Sequence, residues 1–391
     1  MAQDQDMPKK ILIVCNDHIG KTMAGPGIRA WELAQAFTRA GHNVAVLSRH
    51  LEPDFSSNNL AFVGTASFHS LCTWIRWSDC VIQAGRPVSI LLSVLFRKKI
   101  LFDQYDPVIF EFLEKRTGSI SQRLGKKTML LLWRLRQRII LRFGAGFFVA
   151  NEKQKDLLIG QMTILGHTKK LGSVTVLPFG LPGAKPVKDR SVLRGTKIKE
   201  TDFLLVWGGG IWDWFDPFTL LQALSKIKSQ RDDIKVYFPG LKPPSPDSQK
   251  MAVVDRFLGE AGQLGLLDKT VFVNLEWTPY GSRADYLLEA DAGISLHRDS
   301  METRFAFRTR MLDYLWAGLP IIASKGDSWA DVIDQCGLGT TVSPGDVEGL
   351  EKALLAMADD VMFRKRCRER IKAIADEYAW DALAERLPIT E

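Results

Sequence analysis

Short apolar runs alternate with amphipathic segments and polar turns along the whole chain. A continuous apolar run is typical of a strand buried on both faces of a parallel sheet, and the segments between the runs have helical spacing. In the first half the predicted strands are residues 11–15, 43–48, 79–83, 99–103, 145–150 and 173–178. In the second half they are residues 202–207, 234–238, 270–274, 291–296 and 319–324. This alternation predicts an α/β protein with two doubly wound domains.

Each half opens with a strand that runs into glycines and then into a helix. The first strand is followed by Gly25 and Gly27, before a helix predicted over residues 30–40. The strand at 202–207 runs directly into Gly208, Gly209 and Gly210. Such a turn can bring backbone N–H groups against a phosphate at a helix N-terminus, or it can simply reverse the chain. Both interpretations stay open.

The length of 391 residues suits two domains better than one core. A polar segment with proline and glycine predicts a linker over residues 185–200. The linker joins a first domain at 1–184 to a second at 201–372, and residues 373–391 form a last segment. An apolar content of 46% and a charged content of 25% are those of a soluble globular protein.

Cysteine usage and the apolar runs bear on the compartment. The five cysteines are scattered and lack a Cys-x-x-Cys pair. That pattern favours reduced thiols in a cytoplasmic protein over disulfides or a zinc site. The first residues show no basic start followed by an apolar region, so no signal peptide is expected. No apolar run approaches the ~18–20 residues that span a bilayer.

Residues 121–143 form the most unusual surface segment, with seven basic residues and no acidic one. Leucines, isoleucines and Trp133 are interleaved with basic residues that include Arg134, Arg138 and Arg142. A basic amphipathic helix with tryptophan fits an anionic membrane surface or a membrane-bound acceptor. A scaffold helix with solvated arginines is the alternative. A nucleic-acid interface is not expected, because no stacking pattern or known motif accompanies the charges.

Residues 300–324 read as a polar loop, a short amphipathic helix and a buried strand. Gly318 and Pro320 predict the end of the helix, because glycine takes a left-handed conformation there and proline cannot continue the helix. Arg308 and Arg310 lie near the start of the helix, where unpaired N–H groups already favour anions. Positive side chains at that place indicate a bound phosphorylated ligand, or pairing with nearby carboxylates.

Asp103 stands at the end of a predicted strand. The carboxyl ends of the strands are where open α/β sheets place groups that face a ligand. Asp103 is therefore a candidate for ligand contact, beside the alternative of a purely structural role.

Several segments of the second half match a known family in order and spacing. They are residues 206–210, 239–240, 271–273 with Trp277, 286–295, 311–322, 337–339 and 344–347. Over about 200–355 the chain thereby resembles the retaining GT-B glycosyltransferases of family four, the group 1 glycosyltransferases. The likeness is looser over 8–182, where residues 24–29 and the strand order carry it. Residues 373–387 with Trp380 look like the family's last helix, which crosses back to the first domain.

The resemblance implies two Rossmann-like domains that face each other across a cleft. The second domain binds a nucleotide-diphosphate sugar, and the first binds the acceptor. The sugar is transferred with retention of configuration, and without a metal or other cofactor. In the family motif a glutamate near the sugar is followed eight residues later by one that holds the ribose hydroxyls. Asp313 occupies the ribose position and Phe305 the earlier one, so Glu302, three residues upstream, is the candidate for the missing glutamate.

A second departure concerns the pyrophosphate. Family members usually carry an arginine and a lysine after the second glycine turn, and residues 208–217 contain neither. Arg308 and Arg310 are the nearest candidates to balance the phosphates, with Lys242 as a weaker one. Trp277 is expected near the base.

The expected catalytic groups are Arg308, with Glu302 or Asp103. Arg308 and Arg310, with the amides of both glycine turns, would stabilise the departing phosphate, and a carboxylate would stabilise the sugar or position the acceptor. The expected acceptor is a glycan or lipid-linked glycan of the cell envelope, at the inner face of the membrane. The alternatives are a non-catalytic GT-B subunit and a different GT-B chemistry such as epimerisation.

Overall fold

The structure, a computed structural model, describes residues 7–114, 120–242 and 252–387, with side chains from residue 125 onward in the second range. Residues 1–6, on which the signal-peptide expectation rests, lie outside the described residues. The chain divides into two compact units. The first comprises the residues up to Gly180 and those from Tyr378 onward, and the second is Leu181–Glu377. The predicted linker, residues 185–200, is thus part of the second unit.

The first unit is built on a seven-stranded parallel sheet. Its strands are β1 (Lys10–Ile19), β2 (Asn43–Leu51), β3 (Phe62–Thr65), β4 (Cys80–Gln83), β5 (Lys99–Asp103), β6 (Gly146–Val149) and β7 (Val174–Val176). The spatial order is β3-β2-β1-β4-β5-β6-β7, which is doubly wound with its switch point between β1 and β4. Strand β3 was not predicted, because its four residues include a glycine and only two buried or half-buried large side chains.

Helices cover both faces of this sheet. They are α1 (Gly25–Arg39), α2 (Phe68–Trp77), α3 (Pro87–Leu95), α4 (Val108–Glu114), α5 (Ile120–Phe143) and α6 (Glu152–Ile164). Helix α1 begins five residues before the predicted residue 30, since proline is well suited to the first helical turn, where Pro26 lies. Gly27 is required there, because a Cβ at this position would lie 2.2 Å from the carbonyl oxygen of His18.

The second unit repeats the arrangement with six parallel strands in the order β10-β9-β8-β11-β12-β13. The strands are β8 (Phe203–Val206), β9 (Ile234–Phe238), β10 (Val271–Val273), β11 (Ala292–Ser295), β12 (Ile321–Ser324) and β13 (Gly339–Val342). The helices are α7 (Pro217–Ile227), α8 (Ala252–Gln263), α9 (Arg283–Leu287), α10 (Met301–Phe305), α11 (Arg310–Ala317), α12 (Ser328–Cys336), α13 (Val347–Asp359) and α14 (Val361–Ala375). The predicted pair of doubly wound α/β domains is confirmed.

The end of the chain returns to the first unit, as predicted. There α15 (Trp380–Ala384) packs against α1. The Trp380 ring lies over Gly180, where a Cβ would approach it to 2.5 Å. In the described part of the chain no helix is both long and apolar enough to cross a membrane. All five cysteines are free thiols.

A buried arginine ties the elements of the first unit together. Arg29, on α1, is 1% exposed and donates to both carboxylate oxygens of Asp103, at 2.7 and 2.9 Å. Its remaining N–H groups donate to the carbonyls of Leu177 and Pro178. The guanidinium also lies 4.8 Å from the ring centroid of Tyr105 and 6.0 Å from that of Trp380. Asp103 therefore has a structural role, because its carboxylate neutralises Arg29. Its expected catalytic role stays a prediction.

We predict that removal of Asp103 destabilises the first unit. Asp103→Ala leaves the Arg29 charge buried and unpaired, which costs about 3–5 kcal/mol. Urea unfolding of the full chain would measure it. The matched control is Asp381→Ala, which breaks the half-exposed pair with Arg39 and should cost less than about 1 kcal/mol. Equal effects of the two substitutions would contradict a buried anchor.

Candidate active site

A buried tyrosine holds the glycine turn of the second unit in place. The N–H of Gly208 donates to the hydroxyl oxygen of Tyr314, at 2.8 Å. The same hydroxyl donates to the carbonyl of Ile294, at 2.8 Å, and lies 3.1 Å from the carbonyl of Val206. Tyr314 thus joins the carboxyl ends of β8 and β11, the two strands at the switch point of the sheet. Burial raises the pKa of Tyr314 to about 12, so the hydroxyl stays protonated.

The rest of the turn is shaped by glycine and tryptophan. Gly209 has φ +75°, a left-handed conformation that other residues rarely adopt. A Cβ at Gly210 would lie 3.1 Å from the Trp277 ring, and a Cβ at Gly240 would lie 3.1 Å from the Cα of Trp277. Trp277 therefore packs directly on two glycine backbones. The predicted donor-site residues Gly208, Gly209, Gly210 and Trp277 do come together at the end of β8.

Arg310 brings a positive charge to this turn. The side chain is buried, and one terminal nitrogen donates to the carbonyl of Gly210, at 2.8 Å. The other terminal nitrogen, Nη1, has no hydrogen-bond partner among the described residues. The guanidinium lies 3.9 Å from the ring centroid of Phe215. Burial lowers the pKa of Arg310 to about 10, so the group is still charged at neutral pH.

A buried charge of this kind is costly unless an opposite charge is supplied. No carboxylate of the described chain lies within ion-pair distance of Arg310, whereas both terminal nitrogens of Arg308, two residues earlier, donate to Glu302. An anion bound at the end of β8 would complete the hydrogen bonding of Nη1. The role expected of Arg310 beside a phosphate stays a prediction.

Asp313 lies one helical turn beyond Arg310 on α11. Its Oδ1 accepts from Nε of Arg283, at 3.0 Å, and the side chain is about one-third exposed. The Arg283 guanidinium lies over the rings of Tyr280 and Trp316, 3.7 and 4.3 Å from their centroids. Dehydration in the site raises the pKa of Asp313, and Arg283 opposes that shift. The carboxylate is thus held by one arginine while part of it remains open to further donors.

Arg308 and Glu302 occupy positions that differ from the expected ones. The Arg308 fork donates to both carboxylate oxygens of Glu302, at 2.8 and 2.6 Å, and Glu302 is 1% exposed. Ser300 caps α10 by accepting from the N–H of Thr303, which fixes this segment. The two groups therefore neutralise each other inside the protein. The roles expected of Arg308 beside a phosphate and of Glu302 beside the sugar stay predictions.

The buried pair continues into a second carboxylate and a histidine. Asp327 Oδ2 lies 3.9 Å from Arg308 Nε and 3.5 Å from His297 Nε2. Asp327 also caps α12 through the N–H of Ala330. Although burial raises it, His297 and Arg308 hold the pKa of Asp327 below its ordinary value. The four side chains therefore form one buried network, in which Arg308 lies two residues before the start of α11.

The glycines of the first unit lie at the N-terminus of α1, which begins at Gly25. No side chain caps this end of α1, and Gly27 is fixed by its contact with the His18 carbonyl. Gly25 and Gly27 belong to the first unit, whereas the site described above lies in the second unit. Their contact with a phosphate stays a prediction.

Three residues of the site escaped the sequence analysis. Tyr314 follows Asp313 directly, but a tyrosine within an apolar helix reads as ordinary core. Phe215 lies against the side chains of Arg308 and Arg310. Its position in the sequence, beside the cap of α7 at Asp216, does not indicate these contacts. Arg283 reaches Asp313 across 30 residues of sequence, a pairing that only the folded chain reveals.

We predict that removal of Arg310 weakens the binding of pyrophosphate, whereas removal of Arg308 lowers the stability of the fold. Arg310→Met should weaken binding of inorganic pyrophosphate at least tenfold with little change in thermal midpoint, because the lost charge has no carboxylate partner. Arg308→Met should cost about 3–5 kcal/mol of stability, because Glu302 becomes a buried unpaired charge.

Titration calorimetry and thermal unfolding would measure both quantities, with Arg256→Met as a surface control. If Arg308→Met lost pyrophosphate binding at unchanged stability, Arg308 and not Arg310 would be the cation that binds the phosphate.

No protein-family model and no curated protein sequence matches the chain. Solved structures do match over nearly its full length. Sucrose-phosphate synthase from Thermosynechococcus elongatus is 16% identical, with a TM-score of 0.66 over 97% of each chain. Anabaena HepE, in complex with UDP-glucose, is 12% identical, with a TM-score of 0.70 over 97% of this chain and 98% of that one.

A third similar structure is WaaG, a glycosyltransferase involved in lipopolysaccharide biosynthesis. It is 16% identical, with a TM-score of 0.62 over 96% of this chain and 98% of that one. At these identities the likeness establishes the fold. The chain therefore has the GT-B fold that its sequence predicts.

Proposed function

We propose that the protein is a GT-B glycosyltransferase that moves a sugar from a nucleotide-diphosphate sugar to an acceptor hydroxyl. The carrying observation is the buried Arg310 guanidinium beside the glycine turn of β8. Its unpartnered Nη1 fits a phosphate oxygen, and Asp313 on the next helical turn fits the ribose hydroxyls as an acceptor of hydrogen bonds. Trp277, packed on the turn, would flank the base. The UDP-glucose complex of Anabaena HepE supports the same ligand class.

The chemistry asks the protein to stabilise a departing diphosphate. As the bond from the anomeric carbon to the β-phosphate oxygen breaks, negative charge grows on the phosphate. A fixed guanidinium in a dry site stabilises that charge without reorganisation, which is worth far more there than in water. The acceptor oxygen bonds to the anomeric carbon on the face that the phosphate leaves, and the departing phosphate accepts the acceptor proton. We therefore propose that the transfer retains the configuration of the sugar and needs neither a metal nor a protein base.

A non-catalytic GT-B subunit is the second candidate. Phe305 stands at the family's sugar-side glutamate, and Glu302, its nearest replacement, is buried against Arg308. That arrangement leaves the sugar itself without an evident carboxylate from the described part of this loop. Such a subunit would bind a nucleotide sugar without turnover.

The two candidates are separated by a donor panel. We expect one UDP, GDP, dTDP or ADP sugar to raise the thermal midpoint and to be hydrolysed or transferred by the purified protein. Asp313→Asn should weaken the matching nucleoside diphosphate about tenfold or more, while inorganic pyrophosphate binds as in wild type, because only the ribose contact is lost. Gln222→Asn, on the exposed face of α7, is the control. Binding without hydrolysis or transfer across donors and acceptors would favour the subunit, and no binding at all would contradict both.

We further propose that the first unit contacts an anionic membrane in cell-envelope glycan assembly, as a cytoplasmic, peripheral protein. On α5 the arginines Arg134, Arg138 and Arg142 are exposed. Large apolar side chains are exposed on the same helix and on α3, which contacts it: Leu91, Leu95, Leu131, Leu132, Leu135, Ile139 and Phe143. Apolar side chains beside a row of arginines suit the interface of an anionic bilayer. The involvement of WaaG in lipopolysaccharide biosynthesis is consistent with such a substrate.

Vesicle sedimentation would test this contact. The protein should bind vesicles with 30% phosphatidylglycerol more tightly than neutral ones, and added salt should weaken that binding by screening. Replacement of Arg134, Arg138 and Arg142 by glutamine should reduce the salt-sensitive part of vesicle binding. The double substitution Leu91→Ser with Leu95→Ser should reduce the salt-resistant part of that binding. Replacement of Lys226, Lys228 and Lys235 by glutamine is the control. Equal binding to neutral and anionic vesicles would contradict the proposal.

A further inference from the structure

The last long helix of the second unit carries a concentration of positive charge. Helix α14 contains six basic residues and one acidic residue, Glu369. Helix α5 of the first unit contains seven basic residues and no acidic one, while the whole chain has a net charge of only +7. The rest of the chain is therefore acidic on balance, and the positive charge is concentrated on two helices, one in each unit.

Helix α14 contacts the end of the six-stranded sheet that is remote from the glycine turn. Arg364 lies 5.4 Å from the ring centroid of Phe203, the first residue of β8. Arg368 donates to the carbonyl of Asp291, directly before β11, at 3.4 Å. The glycine turn follows the opposite end of β8, and a strand of four residues is about 13 Å long. The charge of α14 is therefore not placed to balance a phosphate at that turn.

Three cations of α14 lie on one outward side of the helix. Lys365, Arg368 and Lys372 are three and four residues apart, so they are neighbours along one face, and all three are exposed. The buried residues of the helix, Cys367 and Ile371, lie on its other side. We call the three exposed cations the basic stripe.

The basic stripe does not stabilise the helix that carries it. Like charges at three- and four-residue spacing repel one another, and cations near the start of a helix oppose its dipole. Within the described chain α14 has one ion pair, between Arg366 and Asp360 at 3.9 Å, and none that involves the basic stripe. The charges of the stripe are thus available to an anion outside the chain.

Two large apolar side chains accompany the basic stripe. Val361 is 62% exposed and Met362 is 58% exposed. Val361 lies four residues before Lys365, so it extends the stripe by one helical turn. An acidic peptide or a nucleic acid would pair with the cations but leave these apolar side chains in water. The interface of an anionic bilayer accommodates both, with the cations at the phosphates and the apolar groups below them.

We propose that α14 is a contact site for an anionic bilayer in the second unit. The basic stripe lies at the lipid phosphates, and Val361 and Met362 enter the interface beneath them. This contact is separate from the one proposed for α5, which belongs to the other unit, and it does not depend on the glycosyltransferase function. Binding through α14 is mainly electrostatic, because only two large exposed apolar side chains accompany its cations.

Vesicle sedimentation of the full chain tests the site once α5 has been disabled. The background is the variant with Arg134, Arg138 and Arg142 replaced by glutamine, with the same anionic and neutral vesicles as above. In this background, Lys365→Gln with Lys372→Gln should weaken binding to anionic vesicles at least tenfold. The reason is that each cation near such a surface contributes about fivefold to the binding constant.

A matched control removes the same charge elsewhere in the second unit. Lys325, directly after β12, and Lys352, on α13, are both exposed. Their joint replacement by glutamine should change vesicle binding less than about twofold, because charges remote from the contact are screened by salt.

Two further measurements separate the contact from effects on the fold. The thermal midpoint of Lys365→Gln with Lys372→Gln should not fall, because neither lysine has a carboxylate partner in the described chain and repulsion along the stripe is relieved. Val361→Ser with Met362→Ser should weaken vesicle binding about threefold while its salt dependence stays unchanged, because only the apolar contribution is lost.

Equal losses in the stripe variant and in the lysine control would attribute binding to overall charge and overturn the site. It would also be overturned if the α5 background did not bind anionic vesicles, or if the stripe variant bound them as that background does. Binding of poly-L-glutamate through the stripe, without binding of vesicles, would identify an acidic protein as the partner instead. Loss of vesicle binding on substitution of the stripe alone, but not of the α5 arginines alone, supports the α14 site and contradicts the contact proposed for α5.

Discussion

The guanidinium of Arg310 is buried with no carboxylate of the described chain within ion-pair distance. Solvation of such a group inside a protein is poor, so its charge is stabilised by the Gly210 carbonyl and by the Phe215 ring. The surrounding structure serves to hold this group in place. Tyr314 fixes the turn that Arg310 contacts, and the Glu302–Arg308 pair fixes the loop that precedes it.

Two arginines only two residues apart thus have different physical roles. Arg308 is neutralised at 2.6 Å by Glu302 and backed by Asp327, so it stabilises the loop and presents no net charge. Arg310 begins α11, where the helix dipole adds to its positive field, and it faces the glycine turn. The first unit shows the same distinction. Arg29 is buried but fully paired, and it connects α1, β5 and the returning end of the chain.

The fold was largely predictable because buried parallel strands can be recognised in the sequence as continuous apolar runs. The missed strands, β3 and β13, are short, and each contains a glycine, with only one fully buried residue in each. Gly318 ends α11 with φ +69°, as the position of the glycine and the following proline indicated. The segment before it forms two helices rather than one, since Ser300 caps a separate short helix.

The candidate site was predictable only in part. Segments that follow neighbouring parallel strands meet at one edge of the sheet, and the sequence shows which segments these are. This is why the sequence places together Gly208–Gly210, Trp277, Arg310 and Asp313. Partner choice does not follow from spacing, because Arg308 and Arg310 are equivalent in sequence, and only packing decides which one meets a carboxylate. The ion pairs of Asp103 and Glu302 were missed for that reason, since each is paired with an arginine that sequence alone does not assign to it.

The central claim is that Arg310, rather than Arg308, is the cation that meets the diphosphate. A crystal structure of the protein with bound UDP tests it most directly. The account predicts a phosphate oxygen within about 3 Å of Arg310 Nη1, ribose hydroxyls on Asp313, and an unchanged Glu302–Arg308 pair. Phosphates bound by Arg308 after release of Glu302, with Arg310 remote from them, would contradict it.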